Sequence, residues 1–189
     1  TSGGTETATG STWLTSSFTT GSSAYTLDSI TLLLSNPTSG AATLSIYTNN
    51  ALKPGTLVGT LTSPSTYTTA LSNAVFSGNN ISLSASTTYW VVLKATSGSF
   101  GWSWTADNTG DGTGYQNTWG STTDAGAAWQ TFAVYPVQML VSATSGTGSS
   151  CTYSLGSAAA SVTANVVPPI LMVLLGWALA ASMKSLAVL

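Results

Sequence analysis

Short runs of β-branched, aromatic and leucine residues alternate with turn-forming segments over the first 143 residues of this 189-residue chain. In TLSIY at residues 43–47, Leu44 and Ile46 alternate with hydroxyl-bearing residues, which predicts a strand with these two side chains on one face. The pattern predicts strands at residues 12–20, 26–35, 42–48, 57–62, 73–76, 81–83, 88–95, 100–105 and 131–143. No helical period appears before residue 157. Many short strands at this spacing indicate an all-β fold, a jelly-roll-like β-sandwich head at residues 12–143 after a small polar arm at residues 1–11.

The turn-forming segments contain residues that tolerate a positive φ. Asn49 and Asn50 follow one predicted strand, and the residues GNN at 78–80 follow another. Asparagine and glycine adopt the left-handed conformation at little cost, so we expect both segments to be tight turns.

An apolar segment follows the head. Residues 166–183, VVPPILMVLLGWALAASM, contain no charge over 18 residues. We predict a Gly/Ser-rich linker at residues 144–167 and a hydrophobic α-helix at 168–189, because proline is tolerated in the first turn of a helix. About 21 residues at 1.5 Å each span about 31 Å, close to the hydrocarbon thickness of a bilayer.

The apolar helix has features of a packing helix as well as of a membrane span. Gly176 and Ala180 form a small-xxx-small pair, and Lys184 continues the same stripe, which favours close approach of another helix. Lys184 is the only charge near the end of the chain, whereas membrane anchors usually carry several basic residues on one flank. Both a lipid bilayer and other copies of the chain therefore remain candidate neighbours.

The chain is unusually poor in charge. Charged residues make up 4% of the sequence, against about 25% in ordinary soluble domains, and the net charge is −2. There is no arginine and no histidine, so a basic nucleic-acid-binding surface is excluded. Cys151 is the only cysteine, which excludes an intrachain disulfide framework.

The first ten residues, TSGGTETATG, lack the basic start and apolar core of a signal peptide, and the chain begins at Thr1. We expect an exported extracellular or cell-surface protein from which the signal peptide has been removed, with membrane anchoring as an option. The Thr/Ser/Gly/Asn-rich composition with few lysines is typical of such proteins.

Several short motifs follow one another along the head. They are SFTTG at residues 17–21, YTL at 25–27, LSIY at 44–47, Pro-Gly at 54–55, TYWVV at 88–92, and a closing segment with Trp102, DAG at 124–126 and Trp129. In this order they resemble the choice-of-anchor R domains of bacterial surface proteins. The resemblance implies a surface head that occurs with different C-terminal sorting signals, and VPP at residues 167–169 stands where such signals place a proline motif. It implies no catalytic activity.

Residues 107–118, DNTGDGTGYQNT, are similar to the first half of a calcium-binding loop. Asp107, Thr109 and Asp111 alternate as oxygen ligands, and Gly112 allows the sharp turn. Thr118 stands where such loops carry a bidentate glutamate. The favoured interpretation is a glycine-rich surface turn without a cofactor, and the alternative is a Ca²⁺ site at the three oxygen-bearing residues.

Three of the seven tryptophans are candidates for stacking on sugar rings. Trp102 and Trp104 share one face of the predicted strand at residues 100–105, and Trp119 lies farther along the chain. A carbohydrate-binding role for these side chains is kept as an alternative. The favoured interpretation is that they fill the core or a subunit interface.

The sequence contains few residues that could act in catalysis. Without histidine there is no Ser/His or Cys/His pair, and the few carboxylates have no evident mates. We therefore expect a non-enzymatic structural protein whose head is held by the hydrophobic helix within an assembly of its own copies, such as a filament, sheath or surface layer. The alternatives are a single-pass, outward-facing subunit of a membrane-protein complex and a carbohydrate-binding module.

Overall fold

The computed structural model of the chain describes residues 2–106, 114–146 and 150–155. These residues form thirteen β-strands and no helix. The strands are β1 Ser2–Ala8, β2 Trp13–Thr19, β3 Tyr25–Ser35, β4 Ala41–Asn49, β5 Pro54–Thr60, β6 Ser72–Ser77, β7 Ser82–Leu83, β8 Thr88–Ser97, β9 Phe100–Thr105, β10 Tyr115–Thr122, β11 Gln130–Phe132, β12 Met139–Ser145 and β13 Ser150–Leu155. The predicted all-β fold is confirmed, whereas the helix predicted at residues 168–189 lies outside the described residues.

The strands form two antiparallel sheets. Sheet A has the order β1-β9-β3-β12-β13, and β6 and β7 also pair with β3. Leu34 of β3 pairs with Ser72 of β6 and with Trp102 of β9, so β6 and β9 lie on opposite sides of β3. Sheet B has the order β11-β10-β2-β8-β4-β5, with β5 and β11 at its edges.

The inner faces of the two sheets share one hydrophobic core. In sheet A, alternate residues of β3 such as Ile30 and Leu32 are buried, and in sheet B Leu44 and Ile46 of β4 are fully buried, as their alternation predicted. Each such aliphatic side chain contributes about 1.5–3 kcal/mol when it is transferred from water to the core. The sandwich-like packing thus follows from the period-two pattern of the sequence.

The prediction of an N-terminal arm outside the head is wrong, because residues 2–8 form the edge strand β1. β1 pairs antiparallel with β9, with Ser2 opposite Thr105 and Ala8 opposite Phe100. Ala8 is fully buried in the core, and a Cβ atom at Gly3 would lie 2.1 Å from Cζ3 of Trp104. The small residues of β1 are therefore what lets this strand lie against the indole of Trp104.

The predicted linker at residues 144–167 also begins too early. β12 continues to Ser145, and β13 pairs with it antiparallel from Thr144↔Ser150 to Met139↔Leu155, with Cys151 opposite Ala143. The sequence of β13, SCTYSL, contains Thr152 and Tyr153, which suit a strand, and pairing with β12 outweighs the Gly/Ser pattern that indicated a flexible segment. The last described residue of the chain, Leu155, is therefore still part of sheet A.

The strand predicted at residues 131–143 is interrupted. β11 pairs with β10 in sheet B, whereas β12 pairs with β3 in sheet A, so residues 133–138 cross from one sheet to the other. Pro136 lies in this crossover and has no N–H for a ladder. Its carbonyl oxygen instead accepts a hydrogen bond of 3.0 Å from the backbone N–H of Thr105.

The two asparagine turns behave differently. Asn79 and Asn80 have φ values of 52° and 57°, as their sequence predicted. In the β4–β5 turn, however, the positive φ values fall on Ala51 (50°) and Leu52 (63°), not on the two preceding asparagines. The backbone N–H of Asn50 donates to the carbonyl of Lys53 at 2.9 Å and closes this turn around two residues that disfavour the left-handed conformation.

Replacing Leu52 with glycine is expected to raise the free energy of unfolding by about 0.5–1 kcal/mol. Relief of left-handed strain, about 1–2 kcal/mol, exceeds the added entropy that glycine gives the unfolded chain, about 0.5–1 kcal/mol. Urea denaturation measures the change. The control is Leu71→Gly, since Leu71 is also an exposed leucine but has no positive φ, and this variant should lose stability. Equal losses in both variants would contradict the strain at Leu52.

Candidate binding surfaces

Two of the predicted sites lie outside the described residues. These are the Ca²⁺ candidates Asp107, Thr109 and Asp111 and the helix-packing residues Gly176, Ala180 and Lys184. Within the described residues, no group of three or more His, Cys, Asp and Glu side chains could hold a metal ion. The same part of the chain contains no helix with the length and apolarity needed to cross a membrane.

The prediction that Trp102 could stack on a sugar is wrong. Trp102 and Trp104 do share a face of β9, but that face points inward, and the side chain of Trp102 is 0% exposed. Its Nε1–H donates a hydrogen bond of 2.8 Å to the carbonyl of Gln138. Trp102 is therefore a core residue that also ties β9 to the start of β12.

Trp104 and Trp119 are partly buried and form the base of an exposed apolar surface. We call this surface the crossover patch and define it as Trp104, Trp119, Phe132, Val134 and Tyr135. Its last three members are exposed by 37%, 45% and 49%. The ring centroids of Trp104 and Tyr135 are 5.7 Å apart, and those of Trp119 and Phe132 are 4.8 Å apart. The patch thus contains two pairs of contacting rings, one on each sheet, at the crossover between the sheets.

Hydrogen bonds fix the backbone of the crossover patch. Nε1–H of Trp119 donates to the carbonyl of Val134 at 2.7 Å, and Nδ2 of Asn117 donates to the carbonyl of Ala133 at 2.8 Å. Both donors belong to β10, so sheet B holds the crossover in place. The exposed side chains are presented from a fixed backbone, which lowers the entropy cost of binding a partner there.

A groove crosses the outer face of sheet B. Thr60, Ser45 and Val92 stand side by side on β5, β4 and β8 and form its floor. Thr43, Lys94 and Trp13 stand along one side of this row, and Tyr47 and Leu57 along the other. We call this feature the sheet B groove. Its volume is about 180 Å³, and Lys94 carries the only charge in its lining.

Three contacts hold the side chain of Trp13, which forms one wall of the sheet B groove. Nζ of Lys94 lies 4.9 Å from the centroid of the Trp13 ring, in cation–π geometry. Nε1–H of Trp13 donates to the carbonyl of Gly10 at 2.9 Å. The backbone of Gly126 packs directly against the ring, since a Cβ atom there would lie 2.8 Å from Cζ3 of Trp13. The indole is therefore positioned before any ligand arrives.

Asp124 organises the loop that carries Gly126. Its side chain accepts hydrogen bonds from Oγ1–H of Thr122 and from the backbone N–H of Ala128. The Thr122 hydrogen bond, followed by that from Ala128, lowers the pKa of this carboxyl below its ordinary value. Oγ1 of Thr122 also accepts from the N–H of Gly126 at 3.2 Å, so the loop closes against β10 beside Trp13.

Tyr67 is partly buried and packs against the hydrophobic core. Its ring lies 4.8 Å from that of Phe100, edge to face, and its hydroxyl donates to the carbonyl of Ala42 at 3.4 Å. Burial raises the pKa of this phenol, against the hydrogen bonds with Ser63 and Ala42 that lower it. Two hollows of about 290 and 330 Å³ flank the ring, and both are lined by uncharged residues. The packing and the raised pKa mark Tyr67 as a structural cover of the core.

Sequence reasoning did not identify the sheet B groove. A signal was present, because Trp13, Tyr47 and Trp90 are in phase with the hydroxyl-bearing positions of their strands and out of phase with core residues such as Leu14 and Ile46. Aromatics in the outward phase indicate a surface that is used. The strand register was still needed to show that Trp13 and Tyr47 stand on opposite sides of one groove. No protein family, curated protein or solved structure matches the chain.

Proposed function

We propose that the chain is a non-enzymatic structural protein of the bacterial cell surface, in which a jelly-roll-like head is held within an assembly by the apolar helix at residues 168–189. The assembly consists of copies of the chain, as a filament, sheath or surface layer. The observation that carries this proposal is the exposed crossover patch, whose residues 132–135 come shortly before β12, the strand that pairs with β13.

The position of the patch supports a role in assembly. Leu155 pairs with Met139, which is the fourth residue after Tyr135. Ten residues separate Leu155 from the apolar segment that begins at Val166, and such a link spans at most about 35 Å. An apolar segment tethered this closely to an exposed aromatic patch can cover the patch of its own head or of a neighbour.

The charge distribution of the head also suits self-association. The described charges are Glu6, Asp28, Lys53, Lys94 and Asp124, and none of them belongs to the crossover patch. Copies can therefore pack there without desolvating an ion, which would cost several kcal/mol. Aromatic residues are also the type most enriched at the centre of protein interfaces.

Deletion of residues 166–189 is expected to abolish polymer formation by the chain. Sedimentation velocity and negative-stain microscopy of the full chain and the deletion variant measure this directly. The double variant Val134→Ser/Tyr135→Ser should shorten or weaken the polymer, because it removes the two most exposed apolar side chains of the patch and changes no fully buried residue. The matched control is Tyr47→Ser, which changes a partly exposed tyrosine outside the patch and should leave assembly unchanged.

The same experiment separates the proposal from its alternative. If the full chain fractionates with membranes as a monomer and the deletion releases a soluble head, the chain is a single-pass, outward-facing subunit. Polymers formed by the deletion variant would contradict assembly through the apolar segment.

A further inference from the structure

We propose that the sheet B groove binds a short stretch of a neutral glycan. This site shares no residue with the crossover patch, and the inference does not depend on how the chain assembles. It also differs from the tryptophan set suggested by the sequence, of which Trp102 is buried in the core.

The lining of the groove matches the chemistry of a sugar ring. A pyranose ring has an apolar face of C–H groups and an equator of hydroxyls. The groove offers the ring of Tyr47 and the exposed side chain of Leu57 on one side and the fixed indole of Trp13 on the other. Between these walls, the hydroxyls of Ser45 and Thr60 lie 2.9 Å apart and hydrogen-bond each other. Such a pair uses one donor, which leaves the second hydroxyl hydrogen and lone pairs for a ligand.

The electrostatics of the groove favour an uncharged ligand. No carboxylate lines the groove, and Lys94 is its single cation. The ammonium of Lys94 is already placed over the Trp13 ring, where it stabilises the wall. A neutral ligand leaves this interaction in place, and the ammonium can still donate hydrogen bonds to sugar hydroxyls at its edge.

The size and position of the groove suit a ligand that it encloses only in part. A volume of about 180 Å³ is below the roughly 300–1,000 Å³ of pockets that enclose a drug-sized ligand. The groove begins at β5, which is an edge strand of sheet B. A ligand that enters at this edge and extends beyond it, as a glycan chain does, suits the shape.

Isothermal titration calorimetry of the full chain tests the proposal. The probes are soluble oligosaccharides of neutral β-linked and α-linked hexoses, of xylose and of N-acetylglucosamine, with oligogalacturonate as the acidic probe. We expect binding to at least one neutral oligosaccharide. Tyr47→Ala should weaken this binding about tenfold, and Tyr47→Phe should retain it, because the ring provides the stacking surface.

Two further variants make the test decisive. Tyr135→Ala removes a half-exposed tyrosine outside the groove and should leave the affinity unchanged. Leu57→Ala truncates an exposed wall residue on an edge strand, so it tests the groove even if Tyr47→Ala does not fold, and we expect about threefold weaker binding. The proposal is overturned if no neutral oligosaccharide binds, if only the acidic probe binds, or if Tyr47→Ala and Leu57→Ala both bind as tightly as the unaltered chain.

Discussion

Replacing Trp102 with alanine is expected to lower the free energy of unfolding by about 3–5 kcal/mol. Trp102 is one of the largest fully buried side chains, and its removal leaves a cavity between β9 and the opposite sheet. The substitution also removes the 2.8 Å hydrogen bond from Nε1 to the carbonyl of Gln138. That carbonyl would lose a buried donor, which adds a cost of about 1–3 kcal/mol unless water enters the cavity. Urea denaturation monitored by far-UV circular dichroism measures the change.

Two further variants separate the causes of the stability lost in Trp102→Ala. Trp102→Phe keeps most of the buried apolar volume and removes the hydrogen bond, so its loss should be clearly smaller than that of the alanine variant. Tyr135→Ala removes an aromatic side chain that is 49% exposed and should cost less than about 1 kcal/mol. An alanine variant of Trp102 as stable as that of Tyr135 would mean that Trp102 is not in the core.

Replacing Gly78 with alanine is expected to destabilise the head by about 3 kcal/mol, at or above the upper end of what overpacking usually costs. A Cβ atom at this position would lie 1.8 Å from the carbonyl oxygen of Leu27, which is backbone and cannot rotate away. The backbone N–H of Gly78 donates to the carbonyl of Asp28 at 2.7 Å, so the turn is tied to β3 at the same point. Relief of the clash requires β3 and the turn after β6 to separate.

Gly10 provides the matched control for this prediction. A Cβ atom at Gly10 would have no neighbour within 4 Å, so Gly10→Ala should change the free energy of unfolding by no more than about 0.5 kcal/mol. Thermal unfolding of the two alanine variants beside the unaltered chain gives the comparison. Similar midpoints for both would show that Gly78 does not approach Leu27 as closely as described.

The strands with strong alternation were predictable from sequence. The predicted strands at residues 26–35 and 100–105 agree with β3 and β9 to within one residue at each end, because apolar positions repeat every second residue along β9 and along β3 from Ile30 onward, and one face must be buried. β10 was not predicted, since its sequence YQNTWGST has few apolar residues and its strand character comes from pairing with β2 on one side and β11 on the other.

The role of the tryptophans and of the first residues could not be predicted in the same way. Alternation places Trp102 and Trp104 on one face of a strand, but only the position of the second sheet decides that this face is the inner one. Likewise, the sequence of β1, SGGTETA, has no secondary-structure propensity that would distinguish a strand from an irregular arm. The contact of Gly3 with Trp104, about 100 residues away in the sequence, makes it an edge strand.

The ends of the described chain determine how the head responds to mechanical force. Ser2 begins β1 opposite Thr105, and Leu155 ends β13 opposite Met139. β1 and β13 are also the two edge strands of sheet A. Force applied at Ser2 and at Leu155 therefore loads the β1–β9 and β12–β13 ladders before it reaches any inner strand. The hydrogen bonds of these two edge ladders are consequently what first resists stretching of the described head.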